Sequence, residues 1–146
     1  MQMFRAMQAS ASALTAERLK MDLIANNLAN INTTRTAEGG PYRRRYAVVE
    51  ERRENFADLL AQQAGRPAEA GLGVRVAQIV EDQAPFKEVY DPNHPDADAN
   101  GIVRLPNVDM LQEITDMMMA SRIYEANLTA FNAAKSMALR ALEIGR

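Results

Sequence analysis

From Val108 to Ile144 the chain contains no Pro and no Gly. Read at alternating steps of four and three, this stretch gives Met110, Ile114, Met117, Ser121, Tyr124, Leu128, Phe131, Lys135, Ala138 and Leu142. Eight of those ten positions are apolar, which marks one face of a long helix. A helix of roughly 36 residues is about 55 Å long at 1.5 Å per residue. That exceeds the width of a small domain, so its stripe needs a partner of matching length. Asn107, after Pro106, is placed to cap the helix, and Asp109 falls in its first turn. Lys135 and Arg140 lie toward its end, with Gly145 at the C-cap.

A second helical pattern runs from Met1 to about Asn30. Met7, Leu14, Met21 and Leu28 recur every seven residues. Met3, Ile24 and Ile31 take the flanking position of the same heptad, where Ser10 and Glu17 weaken it. Phe4, Ala11 and Ala25 widen the face. The helix gives out around Asn26, Asn27, Asn30 and Asn32, followed by Thr33 and Thr34, because Asn and Thr bond readily to nearby backbone. The simplest reading of the two seams is an antiparallel, coiled-coil-like hairpin of helices, with part of the longer stripe left for another molecule.

Between them the pattern changes to period two. Glu38-Gly39-Gly40-Pro41 marks a turn. Tyr42–Glu50 and Leu72–Asp82 read as strands, and Phe86–Tyr90 and Ile102–Leu105 as shorter ones. Asn100-Gly101 is a hairpin-turn signal. Residues 52–70 are charged and rich in Ala and Gln; a mobile loop is expected there, with a helical turn around Phe56, Leu59 and Leu60. The fold class is therefore α+β. The expected organisation is an N-terminal helix over 1–32, a small β-rich middle module over 33–106 and a C-terminal helix over 107–146.

Composition sharpens this picture. The chain has 146 residues, a formal charge of −2, no Cys and 5% aromatic residues. Nine Met and many Ala suit adaptable helix packing better than a rigid core. The charge balance points away from nucleic acid. Absence of Cys excludes disulfides and thiolate metal sites. No apolar run is long enough to span a membrane. Polar residues at Gln8, Ser10, Ser12, Glu17, Arg18 and Lys20 interrupt any apolar signal region, so export would use another route.

Candidate chemistry is sparse. Asp96-x-Asp98-x-Asn100-Gly101 matches the start of a calcium loop. Its twelfth position, Asn107, cannot supply a bidentate carboxylate, and Pro92 and Pro95 preclude a leading helix. An Asp/Asn turn accounts for the same residues. His94, the one histidine, sits between prolines without a triad-like neighbour in sequence. Arg43-Arg44-Arg45 is interleaved with Tyr42 and Tyr46, and intersubunit ion pairing is the favoured role. No catalytic, cofactor-binding or metal residue, nucleic-acid partner or small-molecule substrate is indicated.

Asn26-Asn27-Leu28-Ala29-Asn30, followed by Thr33 and Thr34, resembles the Asn-rich signature that ends the N-terminal helix of bacterial flagellar rod and hook axial proteins. Ser121-Arg122-Ile123-Tyr124-Glu125-Ala126-Asn127 and Lys135-Ser136-Met137 resemble the closing helix of the same family. Gly40-Pro41-Tyr42-Arg43-Arg44-Arg45, Val74-Arg75-Val76, Tyr90 through Asp98 and Pro106-Asn107-Val108-Asp109 are similar to its proximal-rod members. The resemblance implies a structural, non-enzymatic subunit of the basal-body rod. Such subunits assemble helically with copies and other rod proteins, cross the periplasm, transmit torque and form part of the export channel. The implied partners include the inner-membrane ring and export-gate junction and the flagellar type III export apparatus, which uses no cleaved signal peptide. Met7, Leu14, Met21, Leu28, Met117, Tyr124, Leu128 and Phe131 are then expected in inter-subunit packing. Asn26, Asn27 and Asn30 would fix register. The competing reading is a free-standing coiled-coil adaptor or export chaperone-like binding module.

Overall fold

A computed structural model describes residues 2–52 and 73–144. Helix α1 spans Gln2–Ala29 and helix α2 spans Met110–Ile144. Between them lie β1 (Arg45–Glu51), β2 (Val74–Glu81), β3 (Lys87–Tyr90) and β4 (Ile102–Leu105). The expected α+β class is observed, with β1 paired to β2 and β3 to β4 in two separate two-stranded sheets. Backbone bonds from Arg52 N–H to the Gly73 carbonyl (2.9 Å) and from Asp82 N–H to the Arg44 carbonyl (2.8 Å) close the two ends of the first pair, so it runs antiparallel. The second pair is antiparallel in the register Lys87↔Leu105 to Tyr90↔Ile102. The anticipated turn around Phe56, Leu59 and Leu60, the loop over 53–70 and the Gly145 cap lie outside the described residues.

Chain contacts form two compact units. One draws on residues 1–18, 49–77 and 121–146, the other on 19–48 and 78–120, and each holds part of both helices. The second unit carries most of the buried side chains among the described residues: Leu23, Ile24, Asn27, Val103, Pro106, Val108, Glu113 and Ala120. In the first unit, Ala16, Glu17 and Ala134 are buried. Also in the first unit, Gly73 lies against α1: its φ is +109°, and a Cβ there would meet Ser12 Oγ at 2.1 Å. Ser12 Oγ accepts from Val74 N–H at 3.0 Å and donates to the Ala9 carbonyl at 2.7 Å. Only glycine provides both that backbone geometry and that clearance.

The Asn-rich stretch terminates α1 as its chemistry dictates. The Asn26 carbonyl accepts from both Asn30 N–H (3.1 Å) and Asn30 Nδ2 (2.9 Å). Ile31 N–H reaches the Leu28 carbonyl at 3.3 Å, a tightened last turn.

Three expectations need correction. The first is the cap of α2, which is Asp109 rather than Asn107. Asp109 Oδ1 accepts from Leu111 N–H (2.9 Å) and Gln112 N–H (3.2 Å). Asn107 instead bridges backbone, accepting from Arg44 N–H at 2.9 Å and donating to the Asp82 carbonyl at 3.0 Å. The second is the start of β1, which begins at Arg45 instead of Tyr42. Tyr42 N–H donates to the Thr33 carbonyl and Arg44 N–H to Asn107, so those amides are diverted from the ladder. The third is the buried stripe of α2, which runs Glu113, Met117, Ala120, Tyr124, Asn127, Phe131, Ala134 and Ala138. Its period is the expected one, but on alternate steps it is rotated one position from the anticipated face. Ile114, Leu128 and Leu142 stay exposed, because small alanines and one carboxylate occupy the buried line instead.

Candidate assembly interface

In the second unit, the end of α1, the start of β1 and the first turns of α2 meet at one buried side chain, Asn27. It is 1% exposed. Its Oδ1 accepts from Arg45 N–H (2.9 Å) and from the Tyr42 hydroxyl (3.0 Å). Its Nδ2 donates to the Arg45 carbonyl (2.9 Å) and to Glu113 Oε2 (3.0 Å). A side-chain amide has two donors and two acceptor sites, so all four are filled inside the chain.

Glu113 is 0% exposed, a carboxylate with no access to water. Arg44 Nε donates to its Oε1, and Arg44 Nη2 reaches Asp116 Oδ2 at 3.2 Å. A buried carboxylate is tolerable only when paired and hydrogen-bonded, and this one has a guanidinium on one oxygen and an amide on the other. Burial pushes the Tyr42 phenol above its ordinary value of 10.0; Arg45 opposes this, and Glu113 and Glu81 add to it.

The arginine triplet, expected in pairing between subunits, makes these contacts within this unit. Arg43 stacks over the Phe86 ring at 4.3 Å and donates to the Asp82 carbonyl at 3.1 Å. Arg44 takes Glu113. Arg45 donates from Nε and Nη2 to Glu81 Oε1 at 3.1 and 2.8 Å, a bond that raises its pKa. Lys87 Nζ donates to the Val108 carbonyl at 2.7 Å and so ties β3 to the start of α2.

The calcium-like stretch is a set of Asp turns. Asp98 Oδ1 accepts from Asn100 N–H (2.8 Å) and Ile102 N–H (3.0 Å), and these bonds hold its carboxyl below the usual range. Asp96 Oδ2 accepts from the Thr34 hydroxyl at 2.7 Å. His94 Nδ1 accepts from Asp96 N–H at 3.1 Å. Asn100-Gly101 closes the β3–β4 hairpin, at the end of a connection running from Asp91 to Gly101 rather than as a two-residue link. Gly101 has φ +75° there, packed against Tyr90 and Pro92.

Met7, Leu14, Met21 and Leu28 are half-buried on α1, as are Met117, Tyr124 and Phe131 on α2, while Leu128 is 42% exposed. Of the Asn-rich motif, Asn27 is buried and Leu28 and Asn30 half-buried; Asn26 and Ala29 are exposed. In the second motif Glu125 and Ala126 are exposed, and Asn127 Nδ2 donates to its own helix at the Ile123 carbonyl. Glu113 was not anticipated in any role, Arg44 was expected in ion pairing between subunits, and Asn107 was expected as a helix cap. The available signal was one acid on the heptad line Glu113, Ala120, Asn127, Ala134, otherwise made of small or amide residues.

The main surface feature is apolar. Met110, Leu111, Ile114, Met118, Met119, Ile123, Leu128, Met137, Leu139 and Leu142 are all exposed on α2, Leu111 by 76% and Leu142 by 72%. Scattered exposed apolar residues are ordinary on a monomer, but here they run along the whole length of one helix. No helix among the described residues is long and apolar enough to cross a membrane.

Residues 7–35 match the family model of the flagella basal body rod protein, and residues 99–144 match that of the flagellar basal body rod FlgEFG protein C-terminal. Asn27 lies in the first matched segment and Glu113 in the second. The chain is similar to the flagellar basal-body rod protein FlgC of Bacillus subtilis, 47% identical over 98% of each chain. It is 43% identical to that of Borreliella burgdorferi, covering 99% of this chain and 98% of the relative. With that of Salmonella typhimurium it shares 41% identity over 92% of each. On likeness of this extent, the chain belongs to the FlgC family of flagellar basal-body rod proteins.

Proposed function

We propose that this chain is a proximal-rod subunit that stacks helically with copies of itself and with other rod proteins through the faces of α1 and α2. Family membership makes it a structural subunit of the flagellar basal-body rod. Beyond that, the reading pairs residues 1–32 and 107–146 as an antiparallel helical hairpin in the axial core, with the β-rich segment 33–106 outside it. The rod so formed crosses the periplasm, meets the inner-membrane ring and export gate at its base, and transmits torque. Its subunits leave through the flagellar type III apparatus.

The single observation that carries the assembly reading is the exposed apolar length of α2. A helix with that much uncovered surface gains roughly 25 cal/mol for each Å² it buries against neighbours. The channel reading is supported by one line of the same helix. Thr115, Arg122, Thr129, Ser136 and Glu143 follow one another at steps of seven, polar throughout and exposed. That line lies opposite the buried stripe, as a water-facing edge would.

The test is Leu128→Glu, which places a charge on the exposed face without touching the buried stripe. The isolated variant keeps wild-type helicity and melting, yet yields no rods and no motility in cells lacking the native protein. Normal rods built from this variant would refute the proposed interface.

A further inference from the structure

We propose that the Asn27–Glu113–Arg44 cluster is the register key of the helix pair: it selects one axial alignment of α1 against α2 more sharply than the half-buried apolar lines do. It rests on reading the two helices as a pair, and it concerns the isolated chain, so it stands or falls independently of rod assembly.

The half-buried heptad line of α1 is close to self-similar under a slide of one heptad, whereas its buried line is not, because Leu23 falls on Ala16 and Ile24 on Glu17. On α1 such a slide exchanges Met7 with Leu14, Leu14 with Met21 and Met21 with Leu28. Met and Leu are the best-tolerated hydrophobic exchange because their volumes match and Met adapts its shape. On α2 the same slide exchanges Tyr124 with Phe131 and Ala120 with Asn127. Burial of apolar area is non-directional, so along these half-buried lines it discriminates between alignments less sharply than a directional bond does.

The cluster differs sharply between them. The Asn27 Nδ2 to Glu113 Oε2 bond, 3.0 Å long, links α1 to α2, and both side chains are shut off from water. A slide in either direction parts them. Glu113 then keeps at most Arg44, and Asn27 loses the contact that fills its fourth site. An unmet buried carboxylate oxygen cannot recruit water, so the wrong alignment is penalised where the right one is satisfied. Arg44 and Arg45 join the start of β1 to the same two side chains, so the strand is keyed along with the helices. A buried polar group that fixes alignment rather than adding stability is a known use of such residues in helical pairs.

The experiment uses spin labels. The chain has no Cys, so single cysteines at Asp22 on α1 and Thr115 on α2, both exposed, carry the only labels. Pulsed dipolar spectroscopy on the full-length monomer reads their separation. The wild-type background gives one narrow distance. Glu113→Met keeps the volume and removes the bond; it is expected to stay helical by circular dichroism yet show a second population, displaced along the axis by about 10 Å. Glu113→Gln retains an acceptor for Asn27 and is expected to keep the single distance. A single wild-type distance in Glu113→Met overturns the proposal, whatever happens to its melting temperature. A Glu113→Met chain that simply unfolds also overturns it, because Glu113 would then hold the fold rather than choose its alignment.

Discussion

Asn26 and Asn27 are neighbours of the same type in the same helix turn, and the structure predicts opposite responses to the same substitution. Asn27→Ala withdraws four hydrogen bonds at once, leaving the Arg45 N–H and carbonyl, the Tyr42 hydroxyl and Glu113 Oε2 each short of a partner. Glu113 is fully buried, so no water replaces its lost donor, and that oxygen alone costs about 1–3 kcal/mol. The Tyr42 and Arg45 groups are part-buried, and water recovers some of each bond, so they add about 0.5–1 kcal/mol apiece. The expected loss is therefore about 3–5 kcal/mol, a large part of the stability of a domain this size. Asn26→Ala removes an exposed side chain and installs a better helix former, so its effect falls within about 0.5 kcal/mol of zero. Urea unfolding of the full chain, followed by circular dichroism, measures both. Amide exchange at Arg45 gives an independent reading, because that N–H is held by Asn27 Oδ1 at 2.9 Å. A loss below about 1 kcal/mol for Asn27→Ala, with Arg45 still protected, would refute the reasoning.

Three further outcomes follow from single contacts. The Asp109 carboxyl is held below its ordinary value of 3.8 by the amides of Gln112 and Leu111. The folded chain therefore binds that proton less tightly than the unfolded one, so the cap is fully effective above 3.8 and is lost as pH falls below it. Amide exchange at Leu111 and Gln112 should accelerate there, and Asp109→Asn should abolish the dependence. Gly73→Ala forces a Cβ onto Ser12 Oγ at a φ of +109° and is expected to cost about 1–3 kcal/mol in chemical unfolding. Adding Ser12→Ala removes the tightest contact but leaves Ala9 Cα at 3.0 Å and the backbone strain, so it rescues only part. Tyr42 titrates above 10.0, chiefly because it is buried, so its contribution is complete below that value and is lost as pH rises through the folded pKa. Tyr42→Phe should cost about 1 kcal/mol at neutral pH, and removes that alkaline sensitivity in an absorbance-monitored titration.

Much of the fold was legible because it depends on local chemistry. The Asn-rich stop of α1, the Gly39-Gly40 turn and all four strands follow from backbone preferences written within a few residues. The face of α2 was not. Apolar residues lie on nearly every side of that helix, so a count of apolar positions cannot single out the line that packs inward. The buried line contains Glu113 and three alanines, residues that a search for large apolar side chains passes over. The clasp was also invisible as a set. Asn27, Arg44 and Glu113 stand far apart in sequence, and no local signal says which side chains the chain reversals bring together. Asn27 was singled out through resemblance, but its role was placed between subunits. Its four intramolecular bonds leave no donor or acceptor for a neighbour.

Two features of the described residues run against the usual distribution of chemistry. Its most thoroughly buried large side chains include a carboxylate and an amide, while leucines and methionines line the exposed length of α2. An ordinary monomer gains by the reverse arrangement, since apolar area left in water forgoes its main stabilising term. Both features make sense if the two classes of group act at different stages. The polar cluster is directional and saturable, and everything it needs is supplied within one chain. It can therefore shape a subunit before any neighbour arrives. The apolar surface is non-directional and unsaturated, so it contributes only when another molecule covers it. A substitution in the cluster should accordingly change the isolated chain, whereas Leu128→Glu should leave that chain intact and fail only on assembly. That separation is what a building block requires, because a subunit whose own shape depended on its neighbours' apolar surfaces would have several ways to join them.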